Sequence, residues 1–323
     1  WGNHMLAGTK KILRSDMLRK KFLSYIWSVF RLILLLGITY VILSPLLSKF
    51  SLLFMDSRDL GDLTVKWIPK HFTLDNIKTV AYILDYGKCV AKSVIVCGLI
   101  SFLQVASCTM TAYCFARFKF RGRGMLFALV IGTLVIPPQT YVVTLYTQFQ
   151  RFDILGIIKL IRGESLNVLD SAWPFILLAA TATGIRAGLY IFITRQIFRG
   201  MPKELEEAAK VDGAGVYSTF FRIMLPNVIP TVVLCFILSF VWQWNDTFYA
   251  SLYAPRLGLI AQEISNLSVL ITSYLGSWNL ISDAYTNLLM SVGYMMGMLP
   301  LLVLFIIGQR FFIQGIERTG LVG

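Results

Sequence analysis

Six long apolar stretches, 25–47, 90–116, 126–149, 173–198, 228–253 and 288–312, set the terms for what this chain can fold into. Each holds at least the roughly 20 residues a helix needs to cross a hydrocarbon core about 30 Å thick. A helix also closes its backbone hydrogen bonds within one segment, which is essential where no water is present. With 56% of its 323 residues hydrophobic and 15% charged, the chain carries more apolar surface than a soluble domain of this length can hide. The expectation is an all-α integral membrane protein, a bundle of six transmembrane helices with no room for a soluble catalytic domain.

A formal net charge of +13 invites a nucleic-acid reading, which would require the basic residues to share one solvated face. They are divided among the connections instead. Lys10, Lys11, Arg14, Arg19, Lys20 and Lys21 precede the first span, opposed by Asp16 alone. Arg117, Lys119, Arg121 and Arg123 fill the second connection without an acid, and Arg195, Arg199, Lys203, Lys210 and Arg222 belong to the fourth. The first connection is nearly balanced, with Asp56, Arg58, Asp59, Asp62, Lys66 and Lys70. The positive-inside rule therefore places both termini and the even-numbered connections in the cytoplasm of a multi-pass cell-membrane protein, with lipid as a partner and nucleic acid excluded.

Several enzyme classes fall away on residue types. His4 and His71 cannot build H-E-x-x-H, no G-x-S-x-G is present, and without G-x-x-x-x-G-K-[ST] the chain has no phosphate loop of its own. Cys89, Cys97, Cys108, Cys114 and Cys235 lack C-x-x-C spacing and read as apolar packing residues. No metal or cofactor site is expected. A secondary transporter would carry several acidic residues at the midplane, whereas Asp246 stands nearly alone. Trp1-Gly2-Asn3-His4 reads as a cloning remnant ahead of Met5, and the first apolar span lacks the cleavage site of a signal peptide.

Three local features stand out. The 48–88 connection, with Trp67, Ile68 and Pro69, is long enough for either a small folded cap or a solvated link. Pro137-Pro138 removes two backbone donors from the third span and should break it near Gln139. The polar stretch 199–226 reads as helix, turn, helix, with Pro202 at a first helical position, Asp212-Gly213 as the turn, and a second helix presenting Phe220, Phe221 and Ile223. Leu205, Ala208 and Ala209 fall on one side of its first helix, and Glu204, Glu207 and Lys210 elsewhere.

That polar stretch carries a resemblance. Glu207-Ala208-Ala209, then Gly213, then Ile223-Met224-Leu225-Pro226 resembles the EAA loop of ATP-binding cassette importer permeases. Ala112-Tyr113 through Arg117-Phe118 and Phe120-Arg121-Gly122-Arg123, Ile136-Pro137-Pro138-Gln139, Trp244-Asn245-Asp246-Thr247-Phe248 and Gln309-Arg310-Phe311-Phe312-Ile313-Gln314-Gly315 are similar to segments of the carbohydrate, maltose-type, binding-protein-dependent branch. The tail 316–323 departs from the small-residue and lysine ending of that branch. The resemblance implies a permease domain over 25–315 between a basic cytoplasmic N-terminus, 1–24, and a cytoplasmic tail, 316–323. It implies a coupling loop at 199–226, with Glu204, Glu207, Ala208, Ala209, Asp212, Gly213, Leu225 and Pro226 meeting an ATPase. The partners it implies are a second homologous permease, two ATPase subunits that bind ATP and Mg, an extracytoplasmic solute-binding protein and a sugar.

Charges inside spans cost about 2.5–3.5 kcal/mol on insertion scales and so mark function or pairing. Arg186, in the fourth span, either faces the solute route or pairs with Asp246 or a partner subunit; Arg31 reads as snorkelling to the interface. Gln139, Gln243, Asn245 and Asp246 offer hydroxyl-binding groups, and Tyr141, Trp242 and Trp244 offer flat faces to sugar rings. The Trp pair also suits an interface belt. The rival readings are an importer permease for an amino acid or phosphate, and a channel that works without partners.

Overall fold

The computed structural model describes residues 2–62, 65, 67–154, 156–276 and 283–320, with side chains for all of these except 2–20, 61 and 312–320. The basic N-terminal side chains and the end of the Gln309 segment therefore lie outside the described residues, as do the last three residues of the tail. The described residues are helical apart from turns and two isolated antiparallel bridges, Met55 to Phe72 and Phe152 to Leu166. The chain separates into two units, Trp1–Ile77 and Lys78–Gly323.

The first unit is built on α1 (Gly2–Leu52), which from Lys21 onward is long and apolar enough to cross a membrane. Beyond it the chain folds back in a small cap. Asp56 accepts the backbone N–H of Arg58 at 2.9 Å and starts a 3-10 turn over Ser57–Gly61. Asp59, only 3% exposed, accepts the His71 backbone N–H at 2.8 Å and meets His71 Nδ1 at 2.6 Å. The rings of Phe54 and Phe72 stack at 4.8 Å. Of the two readings left open for 48–88, the folded cap is the one observed. The Arg58 hydrogen bonds pull the Asp56 carboxyl down to about 2, and those from His71 lower Asp59.

The boundary falls within α2 (Asp75–Ile83), and the second unit is built around α3 (Tyr86–Arg117), an unbroken 32-residue helix at the centre of its packing. Then come α4 (Arg123–Val135), α5 (Val142–Gln150), α6 (Ile157–Arg162), α7 (Trp173–Ala180) and α8 (Ala187–Gly200). The polar stretch forms α9 (Glu204–Val211) and α10 (Val216–Thr219), and a π turn at Phe220–Met224 runs into α11 (Leu225–Trp244). The chain closes with α12 (Phe248–Tyr253), α13 (Ile260–Ser265), α14 (Leu267–Leu275) and α15 (Asp283–Gly320).

Among the described residues, three apolar clusters use α3. Val105, Cys108, Ala112 and Tyr113 pack on Tyr190, Ile191 and Phe198 of α8 and on Met224, Val228 and Cys235. Ile100 joins α5, α7 and α12 through Val142, Phe175 and Tyr253. Cys89 and Cys97 meet Phe240, Trp244 and Ile260. Four cysteines are thus packing residues as expected, while Cys114 is exposed.

Of the six expected spans, the third breaks as expected at Pro137-Pro138, and the fourth and fifth are also interrupted. Among the described residues, four helices are long and apolar enough to cross, 21–52, 86–117, 216–244 and 283–311. The third expected span breaks between α4 and α5, where Pro137-Pro138 cannot donate to the preceding turn. The fourth breaks between α7 and α8, where Ala182 (φ +56°) and Arg186 (φ +63°) adopt the left-handed conformation. Neither is glycine, so each costs about 1–2 kcal/mol. Hydrogen bonds offset this: Gln104 Nε2 donates to Ile185 O at 2.7 Å, and Ser107 Oγ to Ala179 O at 2.6 Å. The fifth span ends at Trp244, where Asp246 Oδ1 accepts from Tyr249 N and starts α12 afresh.

Candidate functional site

The helix breaks converge on one polar cavity. Its volume is about 280 Å³, and its walls come from the Pro138 break, the Arg186 break, the end of α11 and the start of α12. Gln139, Arg186, Trp242, Gln243, Asn245 and Asp246 all line it, so six of the eight residues singled out for a solute route are brought together. The guanidinium of Arg186 lies over the Trp242 ring, 3.1 Å from its centroid. Arg186 thus lines the cavity, as does Asp246, and its stack on Trp242 is a contact that neither alternative for this arginine included.

The two remaining residues do not line the cavity. Trp244 is buried, donates its indole N–H to Gly297 O at 3.1 Å and stacks on Phe240 at 5.6 Å, so it ties α11 to α15. Tyr141 sits past the break, outside the lining set.

Gln104, Tyr190, Ser239 and Tyr249 line the cavity and were not anticipated. A signal for one existed: Ser239, Trp242, Gln243 and Asp246 repeat at the three- and four-residue spacing of a helix face, a phase that includes Ser239 and leaves out Trp244. Ser239 Oγ donates to Gln104 Oε1 at 3.2 Å, so Gln104 joins α11 to the Arg186 break. Asp246 Oδ2 and the Tyr249 hydroxyl are buried without a protein hydrogen-bond partner. The cavity therefore offers an aromatic face, amides, a hydroxyl, a carboxylate and one guanidinium, a set that binds hydroxyl groups.

The second candidate region is the 199–226 knob. Its helix–turn–helix form is as expected, except that α9 starts at Glu204, two residues beyond Pro202. Gly213 takes φ +78°, and the N–H groups of Gly213 and Ala214 close on Lys210 O and Ala209 O. This left-handed stop is the C-terminal cap that glycine suits.

Glu204, Glu207, Ala208, Asp212 and Pro226 are exposed, Leu225 is half-buried, and Ala209 is buried at 2%. The apolar side expected of α9 is therefore divided: Ala209 packs inward, while Leu205 and Ala208 face out. Val211 (87% exposed), Val216 and Tyr217 (82%) extend that outward patch. Of the second helix, Phe220 is buried, Ile223 half-buried and Phe221 exposed.

One acid of α9 turns inward. Glu206 Oε1 lies 3.2 Å from Arg117 Nε at the end of α3, and Arg117 Nη2 donates to Met201 O at 2.8 Å. Around this pair Tyr113 packs against Phe118, Phe198 and Phe220 at 5.0–5.6 Å. Nearby, the guanidinium of Arg195 covers the Phe127 ring at 3.7 Å.

Comparison with known proteins completes the description. Residues 108–318 match the family described as "Binding-protein-dependent transport system inner membrane component". The osmoprotective compounds uptake permease protein GgtD of Synechocystis sp. is 31% identical over 265 residues, 81% of this chain and 80% of that protein. The melibiose/raffinose/stachyose import permease protein MelC of Bacillus subtilis is 28% identical, over 81% of this chain and 86% of its own length. A crystal structure of a bacterial ABC transporter involved in import of the acidic polysaccharide alginate contains a chain with the same fold. Its TM-score is 0.66 at 15% identity, over 89% of this chain and 96% of that one.

Proposed function

The chain belongs to the family of binding-protein-dependent transport system inner membrane components, and from that premise we propose that it forms half of the pore of an ATP-driven carbohydrate importer. It is a permease subunit of the inner membrane and not an ATPase. In this reading residues 25–315 form the permease domain. The paired segments α4–α5 and α7–α8 make two interrupted crossings in addition to the four continuous ones. Helices of 13 and 9 residues, and of 8 and 14, add to about 33 Å each at about 1.5 Å per residue, enough for the hydrocarbon core.

The observation that carries the carbohydrate assignment is the cavity at the two breaks. Arg186 and Asp246 contribute one formal charge of each sign, so the lining is matched to a neutral solute rich in hydroxyls rather than to phosphate. The face of Trp242 suits a sugar ring, and the unpartnered Asp246 Oδ2 and Tyr249 hydroxyl suit its hydroxyl groups. The similarity to a melibiose, raffinose and stachyose permease supports the sugar reading.

The exposed patch of Leu205, Val211 and Tyr217 on the knob is the surface we assign to an ATPase partner, with Glu204, Glu207, Ala208, Asp212 and Gly213 around it. Two such ATPase subunits bind ATP and Mg. A second permease completes the pore, and an extracytoplasmic binding protein delivers the solute. Reconstitution of this assembly in vesicles tests the assignment with labelled melibiose, raffinose and maltose, and phosphate and glutamine as controls. Trp242→Ala should lower sugar uptake by up to about tenfold, the equivalent of about 1.4 kcal/mol of lost stacking. Uptake of phosphate or glutamine alone, or full sugar uptake by Trp242→Ala, would overturn it.

A further inference from the structure

We infer that the Arg117–Glu206 pair is the joint through which the knob is held in register with the cavity, with α3 as the strut between them. The inference rests on the reading of the knob as the ATPase docking element and goes beyond it, since neither residue belongs to the exposed patch. The side chains of Arg117 and Glu206 are 6% and 15% exposed, unlike Glu204 and Glu207 on the same helix, which face out. Arg117 also holds Met201 O, so one guanidinium grips the chain on both sides of Pro202, at the end of α8 and within α9. One hydrogen bond and one ion-pair contact, made from different nitrogens of a planar guanidinium fork, belong to arginine and are not reproduced by lysine.

The other end of the strut is equally specific. Thirteen residues before Arg117, about 20 Å along the helix axis at about 1.5 Å per residue, Gln104 holds Ile185 O beside Arg186 and accepts from Ser239 on α11. Between these points α3 has no proline or break and is packed along its length against α8 and α11. A displacement of the knob is thereby passed along a stiff helix to the backbone that positions Arg186 over Trp242. The pair is buried, so removing one partner leaves an uncompensated charge in a place with little water. The joint should fail when either charge is lost.

The test uses the full chain with its second permease and ATPase subunits in vesicles. The readout is sugar uptake per ATP hydrolysed, using whichever of melibiose, raffinose and maltose the wild type transports. Glu206→Gln should bind the ATPase and hydrolyse ATP while uptake per ATP falls about tenfold or more. Arg117→Lys, which keeps the charge and loses the fork, should fall between this and the wild type. An unchanged ratio in both variants would overturn the inference. So would failure of both to accumulate in the membrane, since the pair would then serve folding rather than transmission.

Val211→Asp with Tyr217→Asp separates this idea from its premise. ATPase co-purification that survives the double variant means that the knob is not the dock. If co-purification is lost there while Glu206→Gln stays coupled, only the joint is refuted.

Discussion

At Gly213 the backbone turns through φ +78°, and a Cβ placed there would meet nothing within 4 Å. The cost of a side chain is therefore confined to the backbone, about 1–2 kcal/mol for a left-handed L-residue. Gly213→Val should loosen the end of α9 and reduce ATPase co-purification while the melting temperature of the detergent-solubilised bundle stays near that of the wild type. Gly188 presents the opposite case. A Cβ there would lie 2.7 Å from Val130 O and 2.6 Å from Thr133 Oγ1, so α8 approaches α4 too closely for any other residue. Gly188→Ala should lower bundle stability by about 1–3 kcal/mol, the range for overpacking, as read from the same melt.

Asp59 adds a pH dependence at the same scale. Its carboxyl is held below the ordinary value of about 3.9 by hydrogen bonds from His71. A depressed folded value contributes stability that is complete above the unfolded value and is lost as pH falls through the folded one. The 53–76 cap should therefore hold at neutral pH and open below about pH 4, seen as faster amide exchange at His71 and Thr73. Asp59→Asn should remove most of that acid dependence, and an unchanged profile would show that other groups control the cap.

At the scale of elements, the break between α7 and α8 is held from α3. Gln104 is 5% exposed and satisfies Ile185 O; replacing it with leucine leaves that carbonyl without its partner and removes the bond to Ser239, a loss of about 1–3 kcal/mol. Gln104→Leu should lower both the melting temperature and sugar uptake, whereas Ser239→Ala, which leaves the Ile185 bond intact, should affect each less. This break also marks where sequence reading stopped. The Pro137-Pro138 interruption is legible because proline lacks a donor wherever it sits. The Thr181–Arg186 interruption is not, because its left-handed residues are alanine and arginine, and the bonds that stabilise them come from a helix about 80 positions away. The knob was legible because its turn is local, with Gly213 as the stop signal. The inward turn of Glu206 was not, because three glutamates in one short helix look alike until Arg117 is placed beside one of them.

For the whole molecule, the side of the membrane proposed for the knob follows from parity. Four crossings by α1, α3, α11 and α15 leave 199–226 on the same side as the N-terminus. Six crossings do so as well, because α4–α5 and α7–α8 add a return trip. The two arrangements differ only over 151–172, which lies outside if the interrupted segments cross and inside if they do not. Arg151, Lys159 and Arg162 balance Asp153, Glu164 and Asp170 there, whereas 117–123 holds four cations and no acid. In the proposed topology the positive-inside bias assigns 117–123 to the cytoplasm and leaves 151–172 free to cross. A phosphatase fused after Glu164 should be active outside the cell and one fused after Gly213 inactive. Inactivity at Glu164 would reduce the bundle to four crossings without moving the knob, and activity at Gly213 would place the knob where no ATPase can reach it.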